Sequence, residues 1–168
     1  MTVEEFVELP EREDGFHQEL IEGEIVLSPS AKPSHSKVEV RLIKLLLPFE
    51  KLGFAIGIEF ACILGPRSLP GPDLGLIKAE RWNSTGDNFL VGPPELVVEV
   101  FSPSNRKALM AQKAALYLRY GAEAVWVVYP KKRTVLVYEG DTVREFRCGE
   151  ALSFHGVAVP VDAIFEGL

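Results

Sequence analysis

A chain of 168 residues, 47% hydrophobic and 25% charged, is long enough to bury a real core and reads as one globular domain over residues 1–168. Its formal net charge of −6 argues against a broad basic surface for non-specific nucleic-acid binding, while leaving room for a local basic groove. No apolar run approaches the roughly 20 residues that span a bilayer, and the acidic start (Glu4, Glu5, Glu8) lacks the apolar centre of a signal peptide. The expectation is a cytoplasmic protein with no membrane partner. Cys62 and Cys148 are isolated, lack metal-type spacing and need no disulfide in a reducing compartment. Gln18, Asn83, Asn88, Asn105 and Gln112 are the only side-chain amides, and prolines number 12, a composition that leans toward a thermophilic source.

Thr2-Val3-Glu4-Glu5 has the spacing of a capping box and predicts a short helix reaching about Leu9. Residues 18–28 read as two strands around a tight Glu22-Gly23 turn, with His17, Glu19 and Ile21 on one face of the first. Pro29 and Pro33 break that pattern. Ser34 can cap a helix over residues 34–52, with Val38, Leu42, Leu45, Leu46 and Phe49 as its apolar stripe, His35 at its N-terminal end and a kink at Pro48. Residues 54–64 form a long strand signal, followed by a Pro/Gly-rich loop carrying Arg67 and a short strand that Asp73 begins. The connection over residues 78–94 is long enough for a substrate or partner loop, and equally for an ordinary surface excursion.

Residues 94–121 read as strand, turn and helix, and each of the two elements carries one charge where an apolar residue belongs. Glu99 lies inside Leu96-Val97-Val98-Glu99-Val100-Phe101, a run apolar on both faces and therefore buried on both. Ser104 or Asn105 can cap the helix and Gly121 can end it. On that helix Leu109, Met110, Leu116 and Tyr117 share the face of Lys113, which points the lysine at the core. Gln112 points about 100° away. Beyond it, Ala124–Tyr129 and Thr134–Glu139 read as a hairpin with the basic tip Pro130-Lys131-Lys132-Arg133, residues 143–147 as a further strand, and the tail stays apolar. The order of elements describes an α/β domain with an α+β tendency: a mixed central sheet flanked by helices, preceded by a hairpin.

Three carboxylates, Glu19, Asp73 and Glu99, thus occupy positions that packing alone would not choose, with Lys113 on the following helix. Buried charges are costly unless paired or bound to a metal. A structural ion-pair network is one explanation. The other is a hard divalent cation such as Mg²⁺ (or Mn²⁺), which takes oxygen ligands and would be held by Asp73, Glu99 and the carbonyl of Val100. Lys113 would then orient an attacking water or neutralise charge developing on a phosphorane.

Pro72-Asp73 followed by Glu99 in an apolar strand resembles the motif of the PD-(D/E)XK superfamily, the restriction-endonuclease-like fold. Along nearly its whole length the chain is similar to the Uma-two family of endonucleases. The resemblance is carried by Glu19-Leu20-Ile21-Glu22-Gly23-Glu24, Ser28-Pro29, His35, Pro72-Asp73, Glu99-Val100-Phe101-Ser102-Pro103-Ser104, Lys113 with Tyr117, Gly121, and Trp126 with Pro130. It implies a four-stranded mixed core sheet and a metal-dependent phosphodiesterase site acting on nucleic acid, DNA foremost, in a homodimer or higher homo-oligomer. The superfamily's lysine stands two residues after the acid, where this chain has Phe101. The resemblance implies that Lys113 replaces it from the next helix, that Glu19 is an additional acid, and that His35 is a phosphate contact or supports the ligands from behind. Two further readings stand beside the nuclease: a non-catalytic nucleic-acid- or protein-binding member of the same fold, and a small assembly protein whose acids form a structural network.

Overall fold

The computed structural model describes residues 1–103 and 105–168; Ser104, one of the two expected caps, lies outside them. The elements in order are α1 (Val3–Val7), β1 (His17–Ile21), β2 (Glu24–Ser28), α2 (Pro33–Leu46), a 3₁₀ segment (Leu47–Leu52), β3 (Phe54–Ile58), β4 (Cys62–Ile63) and β5 (Leu74–Lys78). There follow α3 (Ala79–Thr85), β6 (Leu90–Val91), β7 (Leu96–Val100), α4 (Lys107–Arg119), β8 (Ala124–Tyr129), β9 (Thr134–Glu139), β10 (Thr142–Arg147), β11 (Ala151–Phe154), β12 (Val157–Pro160) and α5 (Val161–Phe165). A six-stranded sheet of order β10-β9-β8-β7-β5-β3 forms the centre. Only β7 and β8 pair in parallel within it, with Val98 opposite Trp126, and α4 makes the crossover between them. The mixed, helix-flanked sheet matches the fold class read from the sequence, although it has six strands rather than four. The outer strands β10 and β3 are held by antiparallel pairing to β9 and β5.

Two layers cover the sheet. On one face Leu74, Leu76, Val98, Val100 and Trp126 meet Val38, Leu42 and Leu46 of α2 and Val161, Ile164 and Phe165 of α5. On the other, Val97, Val125, Val127 and Ile77 pack under Met110, Ala114, Leu116 and Tyr117 of α4. The alternation along β7 is what separates the two sets.

Local chemistry explains where boundaries move. The Thr2 capping box is present, with Glu5 N–H donating to Thr2 Oγ1 at 3.2 Å and Thr2 N–H to Glu5 Oε2 at 2.8 Å, but α1 stops at Val7, short of Leu9. Lys32, not Ser34, is the N-cap of α2, because Pro33 fits the first helical position, where its fixed φ suits the helix and no N–H is needed. The expected kink at Pro48 is a change of winding: the α-helix ends at Leu46 and a 3₁₀ segment continues to Leu52, closed by Gly53 at φ 86°. The strand signal over 54–64 is split into β3 and β4 at Glu59, which adopts a left-handed φ of 48°. The connection over 78–94 holds α3 and β6. At α4 the N-cap is Arg106; Asn105 instead accepts the Ser102 N–H at 3.0 Å through Oδ1.

Candidate active site

The site forms at one end of the sheet, where β7 finishes and β5 begins. Because β5 and β7 are antiparallel with Leu74 opposite Val98, Asp73 arrives beside Val100, whose N–H donates to Asp73 Oδ2 at 2.7 Å. Glu99, one residue earlier, projects into the layer beneath α4. There Lys113 Nζ lies 2.8 Å from Glu99 Oε1 and 2.8 Å from Glu19 Oε1. The lysine side chain is 3% exposed and that of Glu99 5%, so this is a buried network. Tyr117, one turn on from Lys113, donates its hydroxyl to Glu99 Oε1 at 3.0 Å. Glu19 is fixed in turn by the Gly71 N–H, which donates to Oε1 at 2.7 Å. The helical-face reading of Lys113 therefore describes its position, and β1 brings Glu19 to it from a separate hairpin.

From the opposite layer α2 approaches the same Asp73. His35 Nε2 lies 3.4 Å from Asp73 Oδ2, and His35 Nδ1 lies 3.7 Å from Glu39 Oε1. One donor atom each from His35, Glu39 and Asp73 lie within 4.8 Å of one another. Asp73 therefore sits next to both groups: it accepts from the Val100 N–H, one residue after Glu99, and faces His35 on the other side.

Electrostatics follow from burial and neighbours. Burial pushes the Glu99 carboxyl up to about 8, against the pull of Lys113. Burial is also the strongest single influence on Lys113 and lowers it, but Glu99 and Glu19 together outweigh it and hold the ammonium above its ordinary range. The Asp73 and Glu39 side chains raise His35 to about 10 despite its partial burial. Tyr117 is raised by burial and by Glu99, which keeps it a hydrogen-bond donor. Cys62 is raised to about 12 by burial, so this thiol beside the cluster is unreactive. Cys62 is a buried free thiol and Cys148 an exposed one.

Two participants escape a reading based on apolar faces. Glu39 is four residues after His35, and that i, i+4 spacing was the available signal. Tyr117 was visible as a neighbour of Lys113 on the helix, but its bond to Glu99 requires the sheet partner. Gln112 stays outside the site, donating to the exposed Glu22 at 2.8 Å. Val100 enters through its N–H as a support for Asp73.

The donor set fits a divalent cation. The donor atoms that lie together are those of His35, Glu39 and Asp73, a nitrogen and two carboxylate oxygens of the kind a divalent ion takes, while Glu19 and Glu99 are already held by Lys113.

Among the described residues, no helix is long and apolar enough to cross a membrane. Curated proteins give no match to the chain. A crystal structure from Anabaena variabilis ATCC 29413, described as "a putative nuclease belonging to DUF820", superposes with a TM-score of 0.85 at 20% identity, covering 98% of this chain and 97% of that one. That likeness establishes the shared fold. The sequence profile of the Uma2 family, described as "Putative restriction endonuclease", matches residues 3–160. The chain belongs to the Uma2 family.

Proposed function

We propose that this protein is a metal-dependent endonuclease that hydrolyses phosphodiester bonds of DNA. The observation that carries the reading is the placement of Asp73 and Glu99 at the same end of adjacent strands, with a buried lysine bridging Glu99 to Glu19. Asp73, Glu99 and the Val100 carbonyl would hold Mg²⁺ or Mn²⁺. Such an ion polarises the phosphoryl oxygen and lowers the pKa of a bound water. Lys113 places positive charge where the pentavalent phosphorane develops its negative charge, and orients the water. Glu19, anchored by Gly71 N–H, fixes the lysine head group against Glu99. His35 supports Asp73 from the other layer or meets the substrate phosphate. Membership in a nuclease-described family supports a nucleic-acid substrate. Lys107, at the start of α4, lies beside Lys132 in the β8–β9 turn, a pair of like charges that a phosphate could bridge. A homodimer would allow one site to face each strand of a duplex, in a single domain spanning residues 1–168 that works in the cytoplasm.

One observation favours a second reading. Glu99 Oε1 already receives both Lys113 and Tyr117, so the network satisfies itself as a structural device in a non-catalytic member of the fold. Incubation of supercoiled plasmid with the parent protein and with Asp73→Asn, in Mg²⁺ or Mn²⁺, separates the two. The nuclease reading expects nicked or linear DNA from the parent, none from Asp73→Asn, and none from either protein with a chelator. Intact plasmid with the parent under every ion would favour the structural reading.

A further inference from the structure

The assignment above leaves Glu39 without a task and His35 with an indirect one, yet both are built into the site. Each side chain is 13% exposed. His35 Nδ1 and Glu39 Oε1 are both buried and have no hydrogen-bond partner among the described residues, although they face each other across 3.7 Å. The two atoms thus lie beside Asp73 with room between them and no closed bond. Neither contact of His35 is closed: they measure 3.7 and 3.4 Å. The second separation matches a different arrangement. Two donors each roughly 2.1 Å from a shared ion at a near-tetrahedral angle sit about 3.4 Å apart, which is the His35 Nε2 to Asp73 Oδ2 distance.

We propose that His35 binds the active-site ion directly through Nε2, together with Asp73, and that Glu39 holds the ring from behind by accepting the Nδ1 proton. This is a carboxylate–histidine–metal relay, and it rests on the reading that Asp73 is a metal ligand. Placing His35 and Glu39 one helical turn apart on α2 lets one element supply both the ligand and its support. The chemical consequence is ion choice. Imidazole suits borderline transition ions, whereas Mg²⁺ demands oxygen donors and keeps its waters. The site therefore takes Mn²⁺, Co²⁺ or Zn²⁺ ahead of Mg²⁺, and α2 rather than the sheet sets that order.

The test is a Zn²⁺ titration of the ¹⁵N-labelled full chain, followed through the imidazole nitrogens of its three histidines. The expected result is that only His35 responds, its Nε2 signal moving to a metal-bound position while Nδ1 stays protonated. Glu39→Gln, close to isosteric, should weaken Zn²⁺ and Mn²⁺ binding about 10–100-fold with no change in the far-UV spectrum. His35→Ala should abolish the preference for Mn²⁺ over Mg²⁺ in calorimetry. An unmoved His35 spectrum at saturating Zn²⁺, or Mn²⁺ affinity equal in parent and His35→Ala, overturns the proposal. Plasmid cleavage in Mg²⁺ reports separately on the nuclease reading, so its survival beside an unmoved His35 would reject the relay alone.

Discussion

On one face of the central sheet, Leu74, Leu76, Val98, Val100 and Trp126 meet α2 and α5 through apolar contact. On the other, Val97, Val125 and Val127 share the space beneath α4 with Glu99 and Lys113, residues whose charges water would otherwise solvate. The same strands build both layers, since alternate side chains point to opposite faces. The difference lies in how polar atoms are treated. In the apolar layer the one indole nitrogen, Trp126 Nε1, is buried without a hydrogen-bond partner among the described residues. In the other, Lys113 has two carboxylates at 2.8 Å and Glu99 has both a lysine and a tyrosine. The fold leaves the Trp126 N–H unmet in its dry layer, with His35 Nδ1 and Glu39 Oε1 also unmet on α2 among the described residues, yet it closes every contact of Lys113, because an unpaired buried ammonium costs far more. Asp73, at the end of the sheet, is held by the Val100 N–H and faces His35 of α2.

The largest effect should come from removing the charge that holds the polar layer together. Lys113→Ala leaves the buried Glu99 and the half-buried Glu19 without their counter-charge, and a loss of about 3–5 kcal/mol is expected in denaturant unfolding, with plasmid cleavage abolished and metal binding retained. Joint replacement, Lys113→Met with Glu99→Leu, should recover most of that stability; a double variant as unstable as the single one would break the comparison. The dry layer should behave differently. Leu76→Ala should cost about 2–5 kcal/mol through its cavity while leaving Mn²⁺ affinity unchanged by calorimetry. A loss of metal binding there would mean the two layers are not separable.

A smaller effect concerns pH. Glu99 rises from 4.5 to about 8 and His35 from 6.5 to about 10 on folding. A group whose folded pKa is raised stabilises the protein fully below its unfolded pKa and loses that contribution as pH climbs through the folded value. Both shifts act in one direction. The melting temperature of the metal-free protein should therefore fall between about pH 5 and pH 10, and Glu99→Gln should remove the part of that slope below pH 8. A melting temperature that rises across this range would contradict the protonation states assigned to the site.

Much of this could be read from the chain because strong periodicity is local. The doubly apolar run around Glu99 and the four apolar neighbours of Lys113 placed both residues inward before any tertiary contact was known. The Glu22-Gly23 turn was equally legible, since both residues adopt positive φ, 49° and 86°, as such tight hairpins require. What resisted reading was set by competition or distance. Pro33 outcompeted Ser34 for the start of α2, and Glu59 broke a strand whose apolar signal ran through it. Periodicity alone does not pair α2 with Asp73, and only the family resemblance pointed His35 toward the ligands: the two residues are 38 positions apart, and the antiparallel register of β5 on β7 brings Asp73 to the sheet end that α2 covers. Glu39 was overlooked because a polar residue on an amphipathic helix ordinarily faces water.

The nuclease reading requires a metal at Asp73. Calorimetric titration of Mn²⁺ and Mg²⁺ into the parent protein and into Asp73→Asn, each with a duplex oligonucleotide present to supply phosphate, tests it most directly. The account predicts saturable binding to the parent and its loss in Asp73→Asn. Equal binding by both proteins, or by neither, would contradict it.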